Sequence, residues 1–283
     1  MLRRTLVLAG LSLAAWSPAA SAQDIVIPTI IELSGGGATV GAMWKNGSSL
    51  AVEEINAAGG ILGKKVKLEF VDTASDPGKA RAAMQRALDD KPIAIFGPIY
   101  SGSVSSTLKL TAEAEVPQVI GGEAGNLTAQ GSKDIFRTSF RQNVSMPKIA
   151  NYLRDGVKAK TIAVGYVNND FGKGGRDAIV KELPARDIKV VADISTEAGQ
   201  ADFAADVIKL KGANADAVFV YLNEEESARF LREAKKQGLT KPMIGETTLL
   251  GQKVIDLAGD AANGVKGHVG LTVDAPIPAI QEF

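Results

Sequence analysis

Short apolar, β-branched runs alternate with amphipathic stretches along nearly the whole chain, and this alternation limits the possible folds more than any single motif does. "IVIPTII" (25–31), "VKLEFV" (66–71), "IAIF" (93–96) and "PQVIG" (117–121) read as strands, being too brief for helices and bounded by turn residues. Between them the spacing predicts helices. The segment from Met43 to Ala58 sets Leu50, Ala51, Ile55 and Ala58 on one stripe and stops at Gly59-Gly60, a C-terminal signal. Asp76-Pro77 opens the next helix, an acid at the N-cap before proline at the first helical position. Such alternation implies a mainly parallel sheet covered on both faces.

The pattern then repeats in "TIAVGYV" (161–167), "IKVVADI" (188–194), "DAVFVYL" (216–222) and "PMIG" (242–245), with helical stretches such as Glu224 to Gln237 between. At 283 residues the chain exceeds the roughly 100–150 residues of a common single core. The expected fold class is therefore α/β, with two Rossmann-like lobes on parallel central sheets joined by a hinge. "FRTSFRQN" (136–143) lies between the series and is the candidate crossover. "VKGHVGLTV" (265–273) ends the second series and would return the chain to the first lobe. The expected divisions are 23–140 for lobe 1, 141–268 for lobe 2 and 269–283 for the return.

Residues 1–22 carry a different message. Arg3 and Arg4 precede an apolar core from Leu6 to Trp16, and Ala20-Ser21-Ala22 has the small-x-small form of a cleavage site, so a secretory signal peptide is expected. There is no cysteine, which excludes disulfides, thiolate metal sites, a cysteine nucleophile and a lipid-bearing cysteine. Export without disulfides or anchor fits a bacterial periplasm. Loss of the two leader arginines takes 32 basic and 32 acidic residues to 30 against 32, a balance that gives no reason to expect nucleic acid as partner.

In a parallel sheet, ligands bind beyond the carboxyl ends of the strands, so the loops after each strand are the functional candidates. "LSGGGATVGAMW" (33–44) contains Gly35-x-Gly37-x-x-x-Gly41. A dinucleotide site wants an acid about 20 residues further on, but the second strand ends much later, at Asp72, after the extra turn "NAAGGILGKK". Two readings remain: the glycines let backbone amides approach a small ligand, or they only make a tight turn. "GPIYSGS" (97–103) is a second glycine turn and sets Ser101 or Ser103 at a helix start. Trp44 either lines a pocket or packs the first helix.

The blocks "LSG" (33–35), "AVEEINAAGGILGKK" (51–65), "DTASDP" (72–77), "FGPIYSG" (96–102), "FRTS" (136–139), "NDFGKG" (169–174) and "GDAANGVKG" (259–267) closely resemble those of periplasmic solute-binding proteins of the branched-chain amino acid ABC transporter family, which have the type I periplasmic-binding fold. The resemblance implies a monomeric receptor that captures a small-molecule solute, an amino acid or a small carboxylate, between two lobes and presents it to a membrane permease. It implies no chemical step, cofactor or metal. Carried over by position, it puts the ligand carboxylate at Ser101, the following contacts at Gly121, Gly122 and Glu123, a covering aromatic at Phe171, and later contacts from Tyr221 to Glu224 and at Glu246 and Thr247. Members of the family usually show Ser or Thr where Glu123 stands, a glutamate where Thr247 stands, and an aromatic near Val40. A carboxylate at 123 repels a ligand carboxylate unless it takes the amine. A receptor for an aromatic or aliphatic carboxylate or amide, and a ligand-sensing module, are the alternatives. Members also continue beyond the point where this chain stops, so a C-terminal truncation is expected.

Other features favour plain readings. His268 is the only histidine and no G-x-S-x-G elbow occurs, so a Ser-His-acid triad has no basis. The run Glu224-Glu225-Glu226 begins a helix, where the macrodipole stabilises acids.

Overall fold

The computed structural model describes residues 23–130, 132–272 and 274–282; the expected signal peptide lies outside them. Strands β1 (Ile25–Ile31), β2 (Val66–Asp72), β3 (Ile95–Phe96), β4 (Gln118–Ile120) and β5 (Ile135–Arg137) form one sheet in the order β2-β1-β3-β4-β5. Strands β6 (Thr161–Val167), β7 (Lys189–Thr196), β8 (Ala217–Tyr221), β9 (Met243–Glu246) and β10 (Lys266–His268) form a second in the order β10-β9-β8-β6-β7. Every pairing between these strands is parallel.

Parallel neighbours need crossovers, here supplied by α1 (Ala38–Ala57), α2 (Pro77–Asp89), α3 (Ser101–Ala114), α4 (Gln142–Asp155), α5 (Asp170–Glu182), α6 (Ala204–Gly212), α7 (Glu224–Lys236), α8 (Thr247–Leu250) and α9 (Gln252–Ala258). The two sheets are built alike. After β1 the chain adds β2 on one side and then β3 on the other; after β6 it adds β7 and then β8. Each sheet therefore has a switch point, between β1 and β3 and between β6 and β8, where the loops diverge and leave a crevice.

The second lobe has one continuous core in which Phe203, Phe219, Phe230 and Leu231 are buried, with Phe203 and Phe230 edge to face at 5.9 Å. Each such side chain contributes about 1.5–3 kcal/mol of burial. The first lobe divides its core into two clusters, around Ile30, Met84 and Ile95 and around Val104, Ile120 and Leu127.

Three sequence expectations need correction. Ile135–Arg137 is an edge strand paired with β4, so Phe136 and Arg137 belong to the first sheet, and the chain changes lobes over 138–141 before α4 begins at Gln142. The apolar stripe read on α1 is exposed at Leu50, Ala51, Ile55 and Ala58. The inward face is instead Gly41, Trp44, Ser48, Val52 and Asn56, because the Asn56 amide group pairs with both the N–H and the carbonyl of Val66 at the head of β2. The run 265–273 contributes only the three residues of β10.

The N-cap reading at Asp76 holds: its carboxylate accepts from the Lys79 amide at 2.7 Å. Two helix glycines bring the helix that follows each lobe's first strand onto that strand. A Cβ at Gly41 in α1 would collide with the Glu32 carbonyl at the end of β1, and one at Gly172 in α5 with the Val167 carbonyl at the end of β6. A Cβ at Gly36 meets nothing within 4 Å. Gly41→Ala and Gly172→Ala are each expected to cost about 1–3 kcal/mol, read as a lowered denaturant midpoint, whereas Gly36→Ala leaves it unchanged.

Candidate functional site

The loop after β1 is knitted to the loop after β2. Asp72 Oδ1 accepts from the amides of Leu33 and Ser34 at 2.9 and 3.1 Å and from Ala74 at 2.8 Å, and Oδ2 accepts from the Ser34 hydroxyl at 2.5 Å. Ser75 Oγ donates to the Ser34 carbonyl and accepts from the Gly37 amide. Gly35 sits at φ +76 against the Ala74 carbonyl. The tight-turn reading of the glycines therefore prevails, and Asp72 holds loop amides where a dinucleotide site would offer it to a ribose. Partial burial works to raise the Asp72 carboxyl, but the Ser34 hydroxyl and the loop amides outweigh it and hold it below its usual range.

The loop after β3 sets the start of α3. Glu32, fully buried at the end of β1, accepts from the amides of Ile99 and Tyr100 at 3.0 and 3.3 Å. Burial raises its carboxyl despite these bonds. Tyr100 is the N-cap of α3 and supplies no side-chain cap. The first amide of the helix bonded to the chain is that of Val104, to the Tyr100 carbonyl, so donors at 101–103 point out of the helix start. Ser101, itself buried, accepts from the Ala124 amide at 3.2 Å.

Between the two switch points lies a cavity lined by Val40, Ile99, Tyr100, Ser101, Gly121 and Glu123 from the first lobe and by Phe171, Asn223, Glu224 and Thr248 from the second. Three side-chain hydrogen bonds span the lobes around it. Tyr100 Oη lies 3.1 Å from Glu224 Oε2 and 2.7 Å from the Gly36 carbonyl. Thr39 Oγ1 donates to Glu225 at 2.7 Å. Tyr221 Oη lies between Glu246 of its own lobe, at 2.9 Å, and Glu123 of the other, at 3.4 Å.

Tyr221 is held firmly. Its ring stacks on Phe171 with centroids 4.2 Å apart and fills space left by the missing side chain of Gly175. Gln142, the first residue of α4, donates through Nε2 to the Phe171 carbonyl at 2.8 Å and to Tyr221 Oη at 3.1 Å. Its own amide donates to the Glu123 carbonyl at 3.1 Å. One residue beside the crossover thus ties the Glu123 backbone to the aromatic wall of the other lobe.

Glu123, Glu224 and Glu246 are each displaced upward. Burial, and then the charge of Glu246, pushes Glu123 well above the usual carboxylate range. Burial raises Glu246 against bonds from Ser145 and Tyr221, and burial brings Glu224 to about 7. Two facing carboxylates in a dry site cannot both ionise cheaply.

Of the residues predicted from sequence, Ser101, Gly121, Glu123, Phe171 and Glu224 meet at the cavity. Gly122 backs the wall, where a Cβ would press on Leu127 and Ser101. Tyr221 and Glu246 are buried behind it. Thr247 is exposed and Thr248 faces the cavity. Trp44 packs on Phe96 at 4.9 Å, behind Gly121. Val40, Ile99 and Tyr100 fall in or beside the candidate loops without having been singled out as contacts, while Glu32 and Gln142 were not anticipated; an acid at a strand end beside a switch point was the available signal for Glu32. His268 lies elsewhere, edge-on to Phe140. Among the described residues no cluster of three or more histidine or acidic side chains could hold a metal ion.

Two parallel-sheet lobes with a cavity between facing switch points have the architecture of a bilobal solute-binding class of protein, and residues 24–283 match the family described as periplasmic binding protein. The chain belongs to that family. It is 31% identical over 238 residues to an amino acid binding protein of Pseudomonas aeruginosa, covering 83% of this chain and 64% of the relative. It is 29% identical over 260 residues to the Leu/Ile/Val-binding protein of Escherichia coli K12, covering 92% and 71%. Against the substrate-binding protein of a branched-chain amino acid transporter from Streptococcus pneumoniae, solved with isoleucine, the TM-score is 0.76 at 30% identity, covering 83% and 68%. A leucine-binding protein from Thermotoga maritima shares the fold with TM-score 0.86 at 24% identity, covering 92% and 74%. The chain thus spans about two thirds of the length of the curated relatives it matches.

The raised carboxyls fix a sign for pH dependence. An acid whose folded ionisation lies above its unfolded one stabilises the fold when protonated, and that contribution is lost as pH rises from the unfolded value toward the folded one, about 7 for Glu224. The ligand-free chain is therefore expected to melt on the order of 3–6 °C higher at pH 5.5 than at pH 8. Glu224→Gln should shrink that difference in a calorimetric pH series.

Proposed function

We propose that this chain is a periplasmic receptor that binds a small solute, an amino acid of the branched-chain or a related type, between lobe 1 (23–140) and lobe 2 (141–268) and delivers it to the permease of an ABC transporter. The carrying observation is the ring of inter-lobe bonds, Tyr100–Glu224, Thr39–Glu225 and Tyr221–Glu123, around a cavity that draws its walls from both lobes. A ligand there touches both lobes only when they are shut, so its differential affinity drives closure as a population shift.

The assignment of groups follows from charge. Ser101 and the α3 amides form the acceptor-seeking end, which suits a carboxylate; Glu123 and Glu246 form the end that suits an ammonium. The relatives named for amino acids support this reading. Glu123 is the observation that favours the second reading, an amide in place of a free amino acid, since it adds a carboxylate to the wall.

Titration of the purified chain with amino acids, amides and small carboxylates, followed by thermal shift, tests the receptor. A ligand at a hundredfold its Kd is expected to add about 2.7 kcal/mol, and therefore to raise Tm by about 5–10 °C. Phe171→Ala, which removes the ring from the wall, should weaken binding by at least about tenfold. A chain that no member of the three classes stabilises does not act as this receptor.

A further inference from the structure

We infer that the solute is a small one, of glycine or alanine size in the amino-acid series, and that Glu123 is the residue that sets the limit. This rests on the receptor reading and narrows its substrate class.

The first ground is the space between the lobes. The centres of water-sized groups can range over about 60 Å³ of the cavity. One such group needs roughly 10–15 Å³ by the same measure, so the cavity admits about four to six of them, and a solute of about as many non-hydrogen atoms. Glycine and alanine match that count. Valine, leucine and isoleucine exceed it.

The second ground is that the walls are fixed from behind. Gly121 lies so close to Trp44 and Ile99 that a Cβ would collide with both, and the Trp44 ring is itself packed on Phe96. On the facing side Phe171 is stacked on Tyr221, and Tyr221 on Phe219, with centroids 4.2 and 5.5 Å apart. Tyr221 also fills the space at Gly175, so the Phe171 ring has nowhere to retreat in a close-packed interior. A wider solute would have to hold the lobes apart, at the expense of the bonds Tyr100–Glu224, Thr39–Glu225 and Tyr221–Glu123. A solute that fits leaves all of them made.

The third ground is the chemistry of the wall. Ser101 and the donors at the start of α3 suit a carboxylate, and a carboxylate seated there takes up about half of the room. Much of the remaining wall is polar: Glu123, Asn223, Glu224 and Thr248. A branched side chain would strip water from these groups and return no hydrogen bond. A methyl group is covered by Val40, Ile99 and Phe171 alone. Glu123 stands at the limit because its side chain reaches across the cleft to Tyr221 Oη and occupies volume that a shorter residue would release.

Calorimetric titration of the purified chain with three series of graded size tests this: glycine, alanine, valine and leucine; acetamide and isovaleramide; acetate and isovalerate. In whichever series binds, the short member is expected to bind at least about tenfold more tightly than the branched one. Glu123→Ser should narrow that ratio by at least about threefold. Equal or tighter binding of the branched member overturns the inference and leaves the receptor standing. A folded Glu123→Ser variant with an unchanged ratio overturns the role given to Glu123. Binding of no compound counts against the receptor reading, and the inference falls with it. The wild-type comparison decides the size limit even where Glu123→Ser does not fold.

Discussion

A parallel strand reaches its neighbour only through a crossover, and where successive crossovers leave one strand in opposite directions their loops part and leave a gap. This chain makes that reversal twice, at β1 and β3 and at β6 and β8, and the two gaps face one another. The cavity, the helix starts that open into it and the pairing of acids across it all follow from that placement. The glycines at 41 and 172 serve the same arrangement, since each lets a helix begin close against the strand end that borders its gap.

The acids then behave as a consequence of shared burial. In water Glu123, Glu224 and Glu246 would ionise independently near their ordinary range. Between shut lobes each loses solvent, and Glu123 also meets the charge of Glu246. Tyr221 stands between Glu123 and Glu246, so the lobes meet through a neutral hydroxyl where two carboxylates would otherwise confront each other.

Much of the architecture is legible in the sequence because β-branched runs end abruptly at turn residues; β1 and β6 stand where "IVIPTII" and "TIAVGYV" predict them. The three-residue strand Ile135–Arg137 escapes notice because an edge strand this short carries no period of its own. The buried face of α1 is misread for a different reason. A helix packed through Ser48, Val52 and Asn56 meets the sheet partly by hydrogen bonds, so its exposed Leu50 and Ile55 outscore the true face on hydrophobicity. At the site, Ser101 and Phe171 come from resemblance to a family. Glu32 and Gln142 act through contacts with residues 67 and 79 positions away, and no local pattern announces those.

Gln142 gives the hinge a mechanical character. Its backbone is fastened to Glu123 and its side chain to Phe171 and Tyr221, directly after the segment where the chain passes between lobes. Pivot and ligand wall are thus nearly the same place, which makes each lobe a lever with a short inner arm and a long outer one. On the receptor reading proposed above, a ligand bearing on the Phe171 ring would push on the short inner arm, and the far rim of the lobe would travel further through the long one.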